Sequence, residues 1–188
     1  MTLQERLSRV KLLALDFDGV VSDGFVHTFA DGSEAVRTSR VDGIGIERLK
    51  ALGVRVVVIT GEPQGIVDVR CAKLGLHVEH GEPKIERLRA VAEYHRISLD
   101  ECAYIGNDVN DLECLQAVGM PFVTYDCHPN LAAALGLSRS WHLSDTAKAE
   151  VTTAHGGDGA VREVCDLIAD AIEADRAAYV AAKARPFV

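Results

Sequence analysis

The amino-acid sequence predicts a three-layer α/β fold, a parallel sheet with helices on both faces. Three observations carry this. Apolar runs of four to six residues recur with almost no polar alternation, as strands buried on both faces require. Between them lie segments with apolar positions at helical spacing. The runs and helical segments are punctuated by Gly, Pro, Asp or Asn, so the order is strand, turn, helix, turn.

In chain order, residues 1–9 are polar with a helical character, and residues 10–15 (VKLLAL) form the first strand, which stops at Asp16-Phe17-Asp18-Gly19. Residues 24–38 alternate apolar and polar side chains about Asp31-Gly32, a hairpin signal. Residues 43–52 have helical spacing through Ile44, Ile46, Leu49 and Leu52, and Gly53 closes them. Residues 54–59 (VRVVVI) are a second strand, ending at Thr60-Gly61; residues 63–74 are a helix with Pro63 in its first turn and Gly75 after it. The pattern repeats with a strand at 76–79, a helix at 83–95, a strand at 102–105, a helix at 109–118 and a strand at 120–124. Residues 158–182 form a long closing helix striped by Val161, Val164, Leu167, Ile168, Ala171 and Ile172. The polar stretch 136–155, with Trp141, shows no period and is expected to be mobile in part.

The chain has 188 residues, which suits one domain over 1–188 and a core that needs no disulfide or zinc staple. Lys plus Arg number 20 against 28 Asp plus Glu, a net charge of −8. A field of that sign repels nucleic acid and anionic membrane, so neither is an expected partner. The five cysteines (Cys71, Cys102, Cys114, Cys127, Cys165) lack CxxC spacing, and with no signal peptide ahead of them they read as free buried thiols of a cytoplasmic protein. No apolar run approaches the ~20 residues of a membrane span. The seven histidines show no HxxxH or HExxH spacing, which argues against zinc.

Ligands of open parallel sheets bind beyond the carboxyl ends of the strands. Those ends carry Asp16 and Asp18, then Thr60 and Gly61, then Lys84 in a helix first turn, then Asn107, Asp108 and Asp111. Residues two apart on a strand point the same way, so Asp16 and Asp18 face one pocket while Phe17 enters the core. With Asp108 they make a carboxylate cluster that needs a cation, and oxygen-only ligands suit Mg2+. Lys84, Thr60 and the Gly61 N–H offer donors to a phosphate.

Taken together, LALDFDGVVSDG (13–24), VITG (58–61), Lys84 and YIGNDVND (104–111) resemble the four motifs of the haloacid dehalogenase superfamily of phosphatases and span about half the chain. The resemblance implies a Rossmann-like core. The chain leaves no room for a cap domain, only the short hairpin flap, so it is similar to the capless branch. That branch holds the 3-deoxy-octulosonate 8-phosphate phosphatases, the nine-carbon ulosonate 9-phosphate phosphatases and the C-terminal domains of some CMP-sialate synthetases. It implies Asp16 as nucleophile forming an aspartyl phosphate, and Asp18 as general acid and then base. Mg2+ would be held by Asp16, the Asp18 main-chain carbonyl and Asp108, with Asp111 supporting them from behind. Thr60, Gly61 and Lys84 would hold phosphate. In this branch a homotetramer covers the open site, which implies the hairpin packs between subunits.

For the substrate, Glu62 follows VITG, and Arg70 and Lys73 share a helix face where they could read a sugar-acid carboxylate. Octulosonate phosphatases usually carry Arg where this chain has Glu62, so the resemblance leans to a nine-carbon acid 9-phosphate, with the eight-carbon 8-phosphate as the alternative. Two departures bear on this. Asp158 stands in Gly156-Gly157-Asp158-Gly159 where the branch has Arg, and could instead cap the closing helix; Val41 precedes Asp42-Gly43 where the branch has Arg before its first helix. A non-catalytic oligomerisation module is the competing class, against which stands the intact carboxylate set.

Overall fold

The five strands expected at 10–15, 54–59, 76–79, 102–105 and 120–124 become parallel strands of a six-stranded sheet in the computed structural model, which describes residues 1–63, 65–137 and 149–183. A capped turn of helix, α1 (Leu3–Ser8), leads into β1 (Leu12–Leu15). The chain then leaves the sheet as an antiparallel hairpin, β2 (Ser22–Thr28) and β3 (Glu34–Thr38), and re-enters through α2 (Arg40–Ala51). Four strand–helix units follow: β4 (Arg55–Thr60) with α3 (Ile66–Leu74), β5 (His77–His80) with α4 (Lys84–His95), β6 (Cys102–Gly106) with α5 (Leu112–Ala117), and β7 (Met120–Val123) with α6 (Pro129–Ala134). A two-residue strand, β8 (Glu150–Val151), and the long α7 (Ala160–Lys183) complete it.

The strand order is β5-β4-β1-β6-β7-β8. β1 is flanked by β4 and β6, with Leu13 opposite Val56 on one side and Ala103 on the other. The chain moves outward from β1 to β5, then returns to the other side of β1 at β6. That reversal opens a crevice at the carboxyl ends of β1, β4 and β6.

Both faces of the sheet are covered, which is why its strands are nearly all apolar. On one face Leu13, Leu15, Val58 and Ile105 pack against Ile46 and Leu49 of α2, Val67 and Cys71 of α3, and Val161, Val164 and Ile168 of α7. On the other, Leu12, Ala14, Val57 and Ile59 meet Ile85, Leu88 and Val91 of α4, Leu115 of α5 and Leu131 of α6. All five cysteines are buried and free. Among the described residues no helix is long and apolar enough to cross a membrane.

Several boundaries differ from the sequence reading. α2 begins at Arg40, so Val41-Asp42-Gly43 lie inside its first turn instead of ahead of the helix. The cause is Asp42, which turns inward and accepts the Arg162 N–H of α7 at 3.0 Å. Pro63 lies in a loop, and α3 starts only after Gly65, whose N–H donates to Asp68 Oδ2 at 2.7 Å. The helix expected over 109–118 is a single tight turn, Val109–Asp111, followed by α5. α6 and β8 had no expected counterpart; both are too short to show a period. Residues 138–148, including Trp141 and His142, lie outside the described residues, and with them most of the stretch expected to be mobile.

Candidate active site

At the crevice the chain beyond β1 turns sharply. Gly19 takes φ of +77°, and a Cβ there would collide with the Asn107 side chain. Gly156 packs so closely on this turn that a Cβ would strike the Gly19 carbonyl oxygen. The DFDG turn, the Asn107 loop and the segment before α7 are thus pressed together by glycines. Asp16 and Asp18 are delivered by this turn and not by the strand itself. They still reach one cavity while Phe17 is fully buried, as the spacing predicts.

That cavity, of about 330 Å³, is lined by Asp16 and Asp18, Thr60, Gly61 and Glu62, Lys84, and Asn107 and Asp108, with Gly24, Val109 and Asn110 at its edge. Four separate strand ends therefore converge as the sequence expects. Asp111 lies beneath the cavity, fully buried. Its Oδ1 accepts Lys84 Nζ at 2.9 Å and the Tyr104 hydroxyl at 2.7 Å, and its Oδ2 accepts the N–H groups of Asn107 at 2.9 Å and Asp108 at 3.2 Å.

Lys84 is 2% exposed and bridges Asp111 to Asp16, whose Oδ1 lies 2.7 Å from Nζ. Burial opposes the ammonium charge, but the two carboxylates outweigh it and push the Lys84 pKa up to about 12. Asp16 is raised to about 7, first by burial and then by repulsion from Asp111, because two carboxylates share one ammonium. Asp16 Oδ1 also accepts the Phe17 N–H at 2.7 Å, so one of its oxygens is tied on two sides. Asp18 accepts the Ser22 hydroxyl at 3.1 Å, and Asp108 accepts the Val109 N–H at 2.6 Å.

Two expected substrate-binding residues are placed elsewhere. Arg70 and Lys73 do not line this cavity: Arg70 Nη2 donates to the Ser39 carbonyl at 2.8 Å, tying α3 to the end of the hairpin, and Lys73 is exposed. Their i, i+3 spacing put them on one helix face, but from it Arg70 reaches the Ser39 carbonyl and Lys73 reaches solvent. Asp158 does not cap α7. Its carboxylate receives Arg37 of β3 at 3.2 Å, and Arg37 also reaches Asp23 at 3.4 Å. A cation does stand beside this loop, then, but it comes from the hairpin.

Sequence reasoning missed Tyr104, Ser22 and Glu82. Glu82 accepts the Lys84 N–H at 3.0 Å and stands against Gly61, where a Cβ would lie 2.8 Å from Glu82 Oε1. Tyr104 alone carried a signal, as the one polar-tipped side chain in an otherwise apolar buried strand.

The donor set suits a hard divalent cation. Asp16, Asp18 and Asp108 offer only oxygen to the cavity. Among the described residues no three acidic, histidine or cysteine side chains are gathered tightly enough to enclose a metal by themselves. A main-chain carbonyl and water or substrate oxygens would complete such a set, an open arrangement of the kind that suits Mg2+.

Residues 45–119 match the haloacid dehalogenase-like hydrolase family. The chain is 33% identical to the 3-deoxy-D-manno-octulosonate 8-phosphate phosphatase of Salmonella typhi, over 87% of this chain and 81% of that one. The enzyme of the same name from Escherichia coli (strain K12) is 34% identical over the same shares. Among solved structures, the phosphatase of this name from Yersinia pestis superposes with a TM-score of 0.80 at 32% identity, covering 91% of this chain and 86% of that one. The one from Moraxella catarrhalis, determined with magnesium ion, phosphate ion and 3-deoxy-D-manno-octulosonate (KDO), gives 0.79 at 32% identity, covering 94% and 97%. With four strand ends meeting at one cavity and no cap above it among the described residues, the chain belongs to the haloacid dehalogenase-like hydrolases, as a capless phosphatase similar to the 3-deoxy-D-manno-octulosonate 8-phosphate phosphatases.

Proposed function

We propose that the chain is a Mg2+-dependent phosphomonoesterase for a 3-deoxy sugar acid of eight carbons phosphorylated at its far end. The observation that carries the chemistry is the Asp16–Lys84–Asp111 arrangement beneath a cavity lined by Asp18, Thr60 and Asp108. The relatives support the eight-carbon acid over the nine-carbon acid to which Glu62 and the basic residues after it lean; of those residues Glu62 lines the cavity, while Arg70 and Lys73 stand away from it.

Asp16 attacks phosphorus through the oxygen not tied to Lys84 and Phe17. A P–O bond forms to the carboxylate as the bond to the sugar oxygen breaks. Asp18 gives its proton to that leaving oxygen. It then takes a proton from the water that attacks phosphorus, which releases phosphate and restores Asp16. Thr60, the Gly61 N–H and Lys84 hold the phosphoryl oxygens, and Asp111 with Tyr104 fixes Lys84 and the 107–108 main chain in place. Asp16, the Asp18 carbonyl and Asp108 would hold the Mg2+, which when bound would let a carboxylate approach a phosphate dianion and offset charge in the transition state.

The hairpin supports a homotetramer of these 188-residue units. It stands outside the main sheet and exposes Phe25 (73%) and Phe29 (54%), apolar surface that a neighbouring subunit would cover.

The test is a kcat/KM panel with Mg2+: 3-deoxy-octulosonate 8-phosphate, a nine-carbon ulosonate 9-phosphate and hexose 6-phosphates. The eight-carbon acid should lead by on the order of tenfold or more, the net worth of about one hydrogen bond. A leading nine-carbon acid would restore the other assignment, and equal rates on hexose phosphates would refute sugar-acid specificity.

A further inference from the structure

His80 closes β5 at the same end of the sheet as the cavity, and its ring stands between two acceptors. Nδ1 lies 2.8 Å from the Glu62 main-chain oxygen and Nε2 lies 3.0 Å from Asp68 Oδ1. A carbonyl and a carboxylate have no hydrogen to give, and neutral imidazole carries a single N–H. Only the doubly protonated ring satisfies both contacts. Asp68 is committed on its other oxygen as well, to the Gly65 N–H at 2.7 Å at the start of α3. Glu62, in turn, lines the cavity, and its N–H donates to Thr60 Oγ1 at 3.1 Å. A chain of hydrogen bonds thus runs from the first turn of α3 through His80 to the loop residue beside the phosphate-holding threonine.

We propose that His80, as an imidazolium, is a positioning residue that clamps the Glu62 loop to α3 and so sets how tightly the cavity holds the sugar part of the substrate. The substrate half of this statement rests on the proposed function; the clamp itself does not.

The groups facing the ring are Asp68 of α3 and the Glu62 carbonyl of the loop, with Glu79 of its own strand, which also pairs with His77 at 2.6 Å. The Arg87 side chain of α4 lies beside the adjacent Gly81. The acceptors prevail, and the His80 pKa is raised, first by the Glu62 carbonyl and then by Asp68. The clamp is therefore closed below that raised value and opens as pH rises through it.

The experiment compares wild type, His80→Gln and His80→Leu as Mg2+-loaded proteins, with steady-state kinetics against pH and NMR titration of the histidine rings. On 3-deoxy-octulosonate 8-phosphate, His80→Leu should raise KM roughly tenfold with kcat within about twofold, and His80→Gln, which keeps one donor, should fall between. The wild-type KM should climb along the His80 titration curve, and that climb should be absent from His80→Leu. A His80 midpoint at or below the ordinary 6.5, or the same KM profile in wild type and His80→Leu, would overturn the clamp. If wild type hydrolyses p-nitrophenyl phosphate but no sugar-acid phosphate, the substrate reading fails, and the clamp is judged by the Gly65 amide shift. Titration of that shift with the His80 midpoint supports it, and a flat shift refutes it.

Discussion

At the Lys84 ammonium two buried carboxylates meet, Asp16 at 2.7 Å and Asp111 at 2.9 Å. Removing the cation would leave both uncompensated, so Lys84→Met should cost about 3–5 kcal/mol of stability in addition to activity, read as a large drop in Tm. Tyr104→Phe takes away one of four hydrogen bonds to Asp111 and should cost only about 1–2 kcal/mol. Asp42 gives a prediction of opposite sign. Burial is the main cause that pushes it up to about 6 from 3.8; Asp158 adds repulsion, while the Arg162 N–H and Arg70 oppose the rise. Between those values the folded chain holds a proton that the unfolded chain has lost, so stability falls as pH rises through the window, by about 3 kcal/mol in all. Asp42→Asn keeps an acceptor for Arg162 and removes the buried charge, so its Tm should exceed wild type at pH 8 and match it near pH 4; a lower Tm at pH 8 would contradict this. At this scale the sequence was legible where chemistry coincides with a strand end. Asp16, Asp18, Thr60 and Asp108 stand out because they fall together at strand ends in the order of a family motif set, whereas the destination of Arg70 depends on where the Ser39 carbonyl lies, which no local pattern encodes.

Between elements, the tightest helix contact is α2 on α7. A Cβ on Gly45 would lie 2.9 Å from Cys165 Cβ and 2.9 Å from Arg162 Cδ. Gly→Ala inside a helix ordinarily gains roughly 1 kcal/mol, but here the overlap with a buried Cβ reverses the sign. Gly45→Ala should lower stability by about 1–3 kcal/mol in urea unfolding. The helix boundaries show how side chains override local signals. α2 gained a turn because Asp42 is drawn to α7, and the 109–118 helix lost its first turn because Asp111 is drawn beneath the cavity. α6 and β8 were invisible because two to six residues cannot display a helical or strand period.

Over the whole molecule, the parallel three-layer architecture was legible because the central strands β1, β6 and β7 and most of β4 are covered on both faces and read as apolar runs, whereas the edge strand β5 (HVEH) does not. The hairpin is a further exception. Phe25 and Phe29 are exposed on it and join neither core cluster among the described residues. In sedimentation equilibrium the protein should weigh about four times its 20.3 kDa chain, and Phe25→Ser with Phe29→Ser should shift it toward smaller species while leaving the circular dichroism intact. A monomeric wild type would remove the shared-site arrangement without touching the chemistry.

That chemistry is tested most directly by turnover of p-nitrophenyl phosphate in wild type and Asp16→Asn, each with Mg2+ and with chelator. Wild type should require Mg2+, and Asp16→Asn should fall by a factor on the order of 10³ or more while its Tm stays at or above the wild-type value, since a buried carboxylate has been made neutral. Undiminished turnover by a folded Asp16→Asn protein would contradict the assignment of Asp16 as the group that takes the phosphoryl.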